Sequence, residues 1–281
     1  MSEIKGKMKK SIYVFIVLGL VPLIALALTQ GKETKCQKQI EKVMKRYVMV
    51  TPQEREAMYN DFGGCFQVPD TLDEFLQKME DQGYASKNEF LGKITKPIEI
   101  IVDGDRKYKL ITYKPIIDPK RNIATNYLNR ILINEEDLNK RIDIIMKTGS
   151  SDRNLDNFSD MLSKSLYLSQ KGSDNTETRN NLYSNIAQNY VQHELEHIRN
   201  HDEESDVKNE TKAYLYSLAR SPSYNTFFDL YWLTQKEIPI YTETANKIFK
   251  EFSDRGLPKE KIPETTLDEI KAIAGDIYRG I

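Results

Sequence analysis

The chain has 281 residues, 39% of them hydrophobic, with 41 basic against 42 acidic side chains and a formal net charge of −1. Lysines are spread rather than striped, so the charge pattern carries no electrostatic footprint for nucleic acid. No repeat, low-complexity tract or glycine-rich phosphate loop appears along it.

Residues 1–10 form a basic flank with Lys5, Lys7, Lys9 and Lys10. Residues 11–29 hold the uncharged run IYVFIVLGLVPLIALAL (12–28), which as a helix reaches about 25 Å against a hydrocarbon core of ~30 Å. Two readings stand for it: an uncleaved transmembrane anchor, or a signal peptide cut near the small-x-small stretch Ala25-Leu26-Ala27. The first implies a single-pass protein of the cell membrane with its body extracytoplasmic; the second implies a secreted or periplasmic protein. Lysines on both sides of the run weaken the positive-inside signal. Beyond an export segment, the two cysteines Cys36 and Cys65 allow one disulfide or two separate thiols. Their spacing, with no histidine nearby, rules out a metal pair.

Residues 30–95 read as a helical segment. Thr51-Pro52-Gln53-Glu54 and Thr71-Leu72-Asp73-Glu74 look like capping boxes, and Gly63-Gly64 and Gly83 mark stops. From residue 96 onward the pattern changes. PIEIIVDGDRKYKLITYKP (97–115) alternates on both sides of Asp103-Gly104-Asp105, a hairpin signal. The run Arg130-Ile131-Leu132-Ile133-Asn134 is a further strand, ending where Asn134 and Glu135 can start a helix toward Lys147. Residues 148–160 and 171–176 are polar and turn-rich, so they read as loops. The fold class is therefore α+β, mainly α, with a small β-sheet before one long helix and a helical C-terminal part.

That long helix spans 176–200. It contains no Pro or Gly, Gly172 lies just upstream, and Asp174 with Glu177 fits a capping box. Leu182, Ile186, Tyr190, Glu194 and Ile198 make one i+4 row, and Ala187, Val191 and Leu195 a second, so a broad apolar stripe faces a core. On its border lies His193-Glu194-Leu195-Glu196-His197. The three histidines of the chain, His193, His197 and His201, all fall within nine residues. Residues i and i+4 stand one above the other on a helix, so His193 and His197 can hold one Zn²⁺. Glu194 sits within reach of a water that such an ion activates, which is the role of a general base.

A third protein ligand must come from elsewhere. On a straight helix His201 lies roughly 12 Å along the axis from His193, too far to share an ion held at ~2 Å; it reads as a residue behind the ligands or an exposed one. After the polar connection Asp202–Asp206, VKNETKAYLYSLAR gives a second helix with Glu210, Ala213, Tyr214, Ser217 and Leu218 on one face. Glu210, in its first turn, can turn back toward the histidines, and the small Ala213 lets the helices approach. Glu203, Glu204 and Asp206 compete for the same role. A developing oxyanion needs a hydrogen-bond donor, for which Tyr214, Tyr190 and Tyr216 are candidates. Arg199 is placed to anchor a carboxylate or to stay solvated. Histidine ligands must be neutral, so activity is expected to fail below about pH 5–6.

His193-Glu194-x-x-His197 followed by Asn209-Glu210-x-x-Ala213 resembles the gluzincin pattern of zinc metallopeptidases. The resemblance covers about thirty residues. It implies two histidine ligands, a glutamate ligand from the next helix, Zn²⁺ as cofactor, a zincin-like domain over 96–281, and hydrolysis of peptide bonds in a protein or peptide substrate. It also implies that an edge strand of the sheet in 97–134 pairs with the substrate backbone. One departure is that Glu210 follows His197 by thirteen positions, a shorter gap than in the larger gluzincins. Rival readings are a non-catalytic, envelope-associated helical binding protein with a structural or adventitious metal, and a zinc hydrolase of other amide bonds. Past Arg220, Pro222 starts a helix through SYNTFFDLYWLTQKE with Trp232 in its core, followed by helices over 241–255 and 266–278.

Overall fold

The computed structural model describes residues 71–281, apart from 88–89, 118–121, 152–154, 156, 201–205 and 236–237. The apolar run 12–28, Cys36, Cys65, the box at 51–54, His201, Glu203 and Glu204 lie outside the described residues. Among the described residues no helix is long and apolar enough to cross a membrane. The chain divides into two units, 1–82 with 86–91, and 83–85 with 92–281.

In the first unit, helix α1 (Leu72–Asp81) starts at Thr71, whose hydroxyl accepts the Glu74 N–H at 3.3 Å. The N-cap bond of the box read from the sequence is therefore formed, and Phe75, Leu76 and Met79 are buried along the helix. The helical expectation for 30–95 fails after Gln82. Gly83 takes φ +83, a left-handed conformation that stops an α-helix, and β1 (Tyr84–Lys87) and β2 (Phe90–Ile94) follow as strands.

The sheet continues with β3 (Glu99–Asp103), β4 (Arg106–Ile117), β5 (Ala124–Tyr127) and β6 (Arg130–Asn134). Its order is β1-β2-β4-β6-β5, with β3 also paired to β4. The β3–β4 hairpin closes on a two-residue loop, since Asp103 pairs with Arg106. Gly104 supplies the φ of +58 that such a tight loop requires. β6 runs parallel to β4, and β5 antiparallel to β6 with Asn126 opposite Ile131. Among the described residues β5 is thus an edge of the sheet. All five residues of β6 are buried, as its nearly continuous apolar sequence demands.

Helices α2 (Glu135–Gly149), α3 (Phe158–Ser169), α4 (Asn175–Arg199), α5 (Asp206–Arg220), α6 (Tyr224–Thr234), α7 (Pro239–Asp254) and α8 (Leu267–Arg279) complete the second unit, with a short 3₁₀ turn at Lys259–Glu264. The architecture is mainly helical with a small sheet, the α+β class read from the sequence. α4 is its centre: it packs on α5, α2 and β5, while α5 packs in turn on α7 and α8. Asp174 accepts the Glu177 N–H at 2.8 Å, and Glu177 reaches back to Ser173 rather than to the cap residue itself. Leu182, Ile186, Val191 and Leu195 are almost fully enclosed, each stabilising the helix face by about 1.5–3 kcal/mol. Two readings needed correction here. α3 starts at Asn157, inside a stretch read as loop, because the Asn157 side chain caps Asp160 N–H at 2.8 Å. Trp232 is not core; 51% of its surface is exposed.

Candidate metal centre

His193 and His197 lie one turn apart on α4, with ring centroids 4.6 Å apart and their Nε2 atoms 3.0 Å apart. α5 runs back along α4 and carries Glu210 to the same point. Glu210 Oε1 is 3.5 Å from His197 Nε2, and its Oε2 is 3.8 Å from His193 Nε2. All three donor atoms fall within 4.8 Å of one another. Ala213, one turn after Glu210, is completely buried, so its small side chain marks the close approach of the two helices. The edge of a tetrahedron around an ion with ligands at ~2.0 Å is about 3.3 Å, and the observed spacings bracket that figure. Two imidazole nitrogens and a carboxylate in a secluded niche suit a divalent transition metal.

The surroundings act differently on the three donors. Burial, together with the adjacent His197, pushes the His193 pKa down to about 3, so its ring stays neutral with a lone pair to offer. Burial also opposes charge on His197, but the hydrogen bond and charge of Glu210, with Glu194 and Asn209 adding to them, move that ring upward. Burial works against ionisation of Glu210 as well; the hydrogen bond from His197 and the histidine charges outweigh it and hold the carboxyl below its usual range. His197 Nδ1 lies 3.3 Å from Asn209 Oδ1. An N–H donated there leaves the Nε2 lone pair facing the other ligands. The buried Nδ1 of His193 has no hydrogen-bond partner among the described residues, and the Tyr214 ring lies 4.4 Å from that imidazole.

Glu194 is 7% exposed and stands beside this cluster without belonging to it. Asn126, on the edge strand β5, donates its Nδ2 proton to Glu194 Oε2 at 2.6 Å. The tyrosines separate by their partners. Tyr190 donates its hydroxyl proton to Asp229 Oδ2 at 2.5 Å, inside a network in which Arg141 meets Asp229 and Asn225, each at 2.8 Å. A hydroxyl has one proton, so Tyr190 is committed there rather than to an oxyanion. Tyr214 is held well above the ordinary phenol range by burial and by Asp229 and Glu210. Tyr216 lies under the Arg199 guanidinium, 4.7 Å from its centre.

Arg199 forms a two-pronged pair with Asp103 at the tip of the β3–β4 hairpin, so it is neither solvated nor turned to the niche. Asp206 is the first residue of α5 and not one of the clustered donors. Sequence reading missed two residues beside the site. Asn126 lies on a four-residue strand, ATNY, whose place is set by register with β6. Tyr241 belongs to the first turn of α7; burial and the nearby charges of Glu210, Glu194 and Asp206 raise its hydroxyl. Only the packing of α7 on α5 could reveal it. Comparison with protein-family models, curated proteins and solved structures finds nothing that matches this chain.

Proposed function

We propose that this chain is a zinc-dependent metallopeptidase of gluzincin type, with a zincin-like fold over 96–281, tethered to a membrane by residues 11–29 or exported. The observation that carries the reading is the convergence of His193, His197 and Glu210 beside Glu194. His193, His197 and Glu210 would hold the zinc, which when bound would supply a Lewis acid able to polarise a carbonyl and acidify a water. Glu194 would be the carboxylate placed to accept a proton from the attacking water and to return it to the leaving amine. Asn209 fixes the ring of His197, and the enclosure of His193 keeps its lone pair available over the physiological range.

Tyr214 and Tyr241 are the hydroxyl donors for negative charge developing on the carbonyl oxygen. An extended protein or peptide segment is seated along β5, the edge strand whose Asn126 already touches the base. Metal analysis tests the reading. Purified wild-type protein is expected to hold close to one zinc per chain, and the variants His193→Ala and Glu210→Ala to lose it. An empty wild-type site under saturating zinc overturns the proposal. Cleavage of unfolded casein, stopped by a chelator and restored by zinc, separates a peptidase from a binding protein with a structural metal.

A further inference from the structure

We infer that Asn126 is a positioning residue that keeps Glu194 from becoming a fourth protein ligand of the metal. The inference rests on the reading of His193, His197 and Glu210 as a metal site. A catalytic site needs an open coordination position, whereas a structural one is closed by four protein ligands. Of the two glutamates in the H-E-x-x-H stretch, Glu196 is turned to Asn200 and Tyr278 and Glu194 to Asn126 on β5, and a carboxylate is itself a good zinc ligand. Yet the Glu194 carboxylate is not among the atoms that converge with His193, His197 and Glu210. One group that holds it there is the Asn126 amide, 2.6 Å from Oε2 and donated from a different element, β5.

The geometry suits that task. Asn126 lies in the register position opposite Ile131 of β6, and β6 is fully buried, so the strand that carries the amide is fixed from behind. A hydrogen bond to an ionised acceptor is among the stronger ones available to an amide. A buried carboxylate that loses such a donor carries uncompensated charge, which it sheds by taking up a proton or by turning to a nearby cation. In the loaded protein that cation is the metal. Asn126 therefore decides whether Glu194 serves as a base or as a ligand, and it does so without touching the metal itself.

Cobalt(II) is the probe, because its visible bands report coordination number and geometry. The full-length chain, with Co²⁺ in place of zinc, is compared as wild type, Asn126→Ala, Asn126→Leu, Asn126→Gln and the double variant Asn126→Ala/Glu194→Ala. Leucine is nearly isosteric with asparagine, so it keeps the site filled should alanine disturb folding. The expected result is a changed band intensity and at least a threefold tighter Co²⁺ affinity in Asn126→Ala and Asn126→Leu. Both changes should be absent from the double variant and partly reversed in Asn126→Gln, which keeps an amide. On a casein substrate with zinc restored, kcat should fall at least tenfold in Asn126→Ala while KM stays within twofold. Co²⁺ spectra identical in wild type and both single variants overturn the inference, as does a change that persists in the double variant. A wild-type chain that binds no Co²⁺ instead removes the metal site on which it rests. Bound Co²⁺ with no proteolysis would leave this inference standing and overturn the peptidase reading alone.

Discussion

Asn209→Ala should weaken zinc binding by about tenfold, and Asn209→Asp should strengthen it. Groups behind a ligating histidine are worth roughly 10- to 100-fold in metal affinity. The His197 Nδ1 to Asn209 Oδ1 distance of 3.3 Å exceeds the ~2.9–3.0 Å mode of such bonds, and the His197 side chain is 16% exposed. Both features place the loss at the low end, about 1.4 kcal/mol. An aspartate at the same position presents an ionised acceptor, whose hydrogen bonds are roughly twice as strong. It also makes His197 a better donor to the metal. Zinc dissociation constants follow from competition against a chromophoric chelator at fixed pH, with thermal melts showing that each variant is folded. An Asn209→Ala affinity within twofold of wild type would refute the reasoning. So would an Asn209→Asp protein that binds zinc more weakly than Asn209→Ala.

Three further outcomes concern the scaffold. Asp229→Ala removes the partner of Arg141 and the acceptor for Tyr190; breaking a buried pair costs about 3–5 kcal/mol. The side chains are 16% and 14% exposed, which favours the lower figure and a Tm lower by about 6–12 °C; a shift under 2 °C contradicts the network's role. Asp103 is held below its usual carboxyl range, chiefly by its hydrogen bond from Arg199. The stability it contributes is present above the unfolded pKa of about 4 and disappears as pH falls through the lower folded value. Urea midpoints compared between pH 5 and pH 3 should fall less for Arg199→Met than for wild type, and equal falls would refute this. Leu128, at φ 54 in the β5–β6 turn and 49% exposed, carries left-handed strain of about 1–2 kcal/mol, and glycine's greater unfolded freedom returns ~0.5–1. Leu128→Gly should raise stability by about 0.5–1 kcal/mol, and a lower denaturation midpoint would refute that account.

What the sequence made legible was whatever a single element determines. The caps at Asp174 and Thr71 and the Asp-Gly turn at 103–105 are local, and the structure forms them. The apolar rows of α4 fix which face is buried, hence where His193 and Glu194 emerge. Glu210 was readable because a short polar connection forces the next helix back along the first. What escaped depended on packing between distant elements. ATNY at 124–127 has no strong β pattern and becomes a strand by pairing with the apolar β6, so the contact from Asn126 to Glu194 across 68 positions left no sequence signal. Tyr241 and Trp232 are set by how α7 and α6 lie; one comes to the acidic side of the niche and the other stays outside. In 84–94, the left-handed Gly83 ends a helix early and hands the chain to the sheet.

The most direct test of the central claim is the zinc content and proteolytic rate of Glu194→Gln measured on the same preparation. The substitution keeps size and a hydrogen-bonding group while removing the proton acceptor, and the three converging donors remain in place. The account predicts one zinc per chain, as in wild type, with casein cleavage reduced by at least a thousandfold, on the order of the loss expected for a general base acting at an electrophilic centre. Wild-type cleavage by a zinc-loaded Glu194→Gln protein would contradict it.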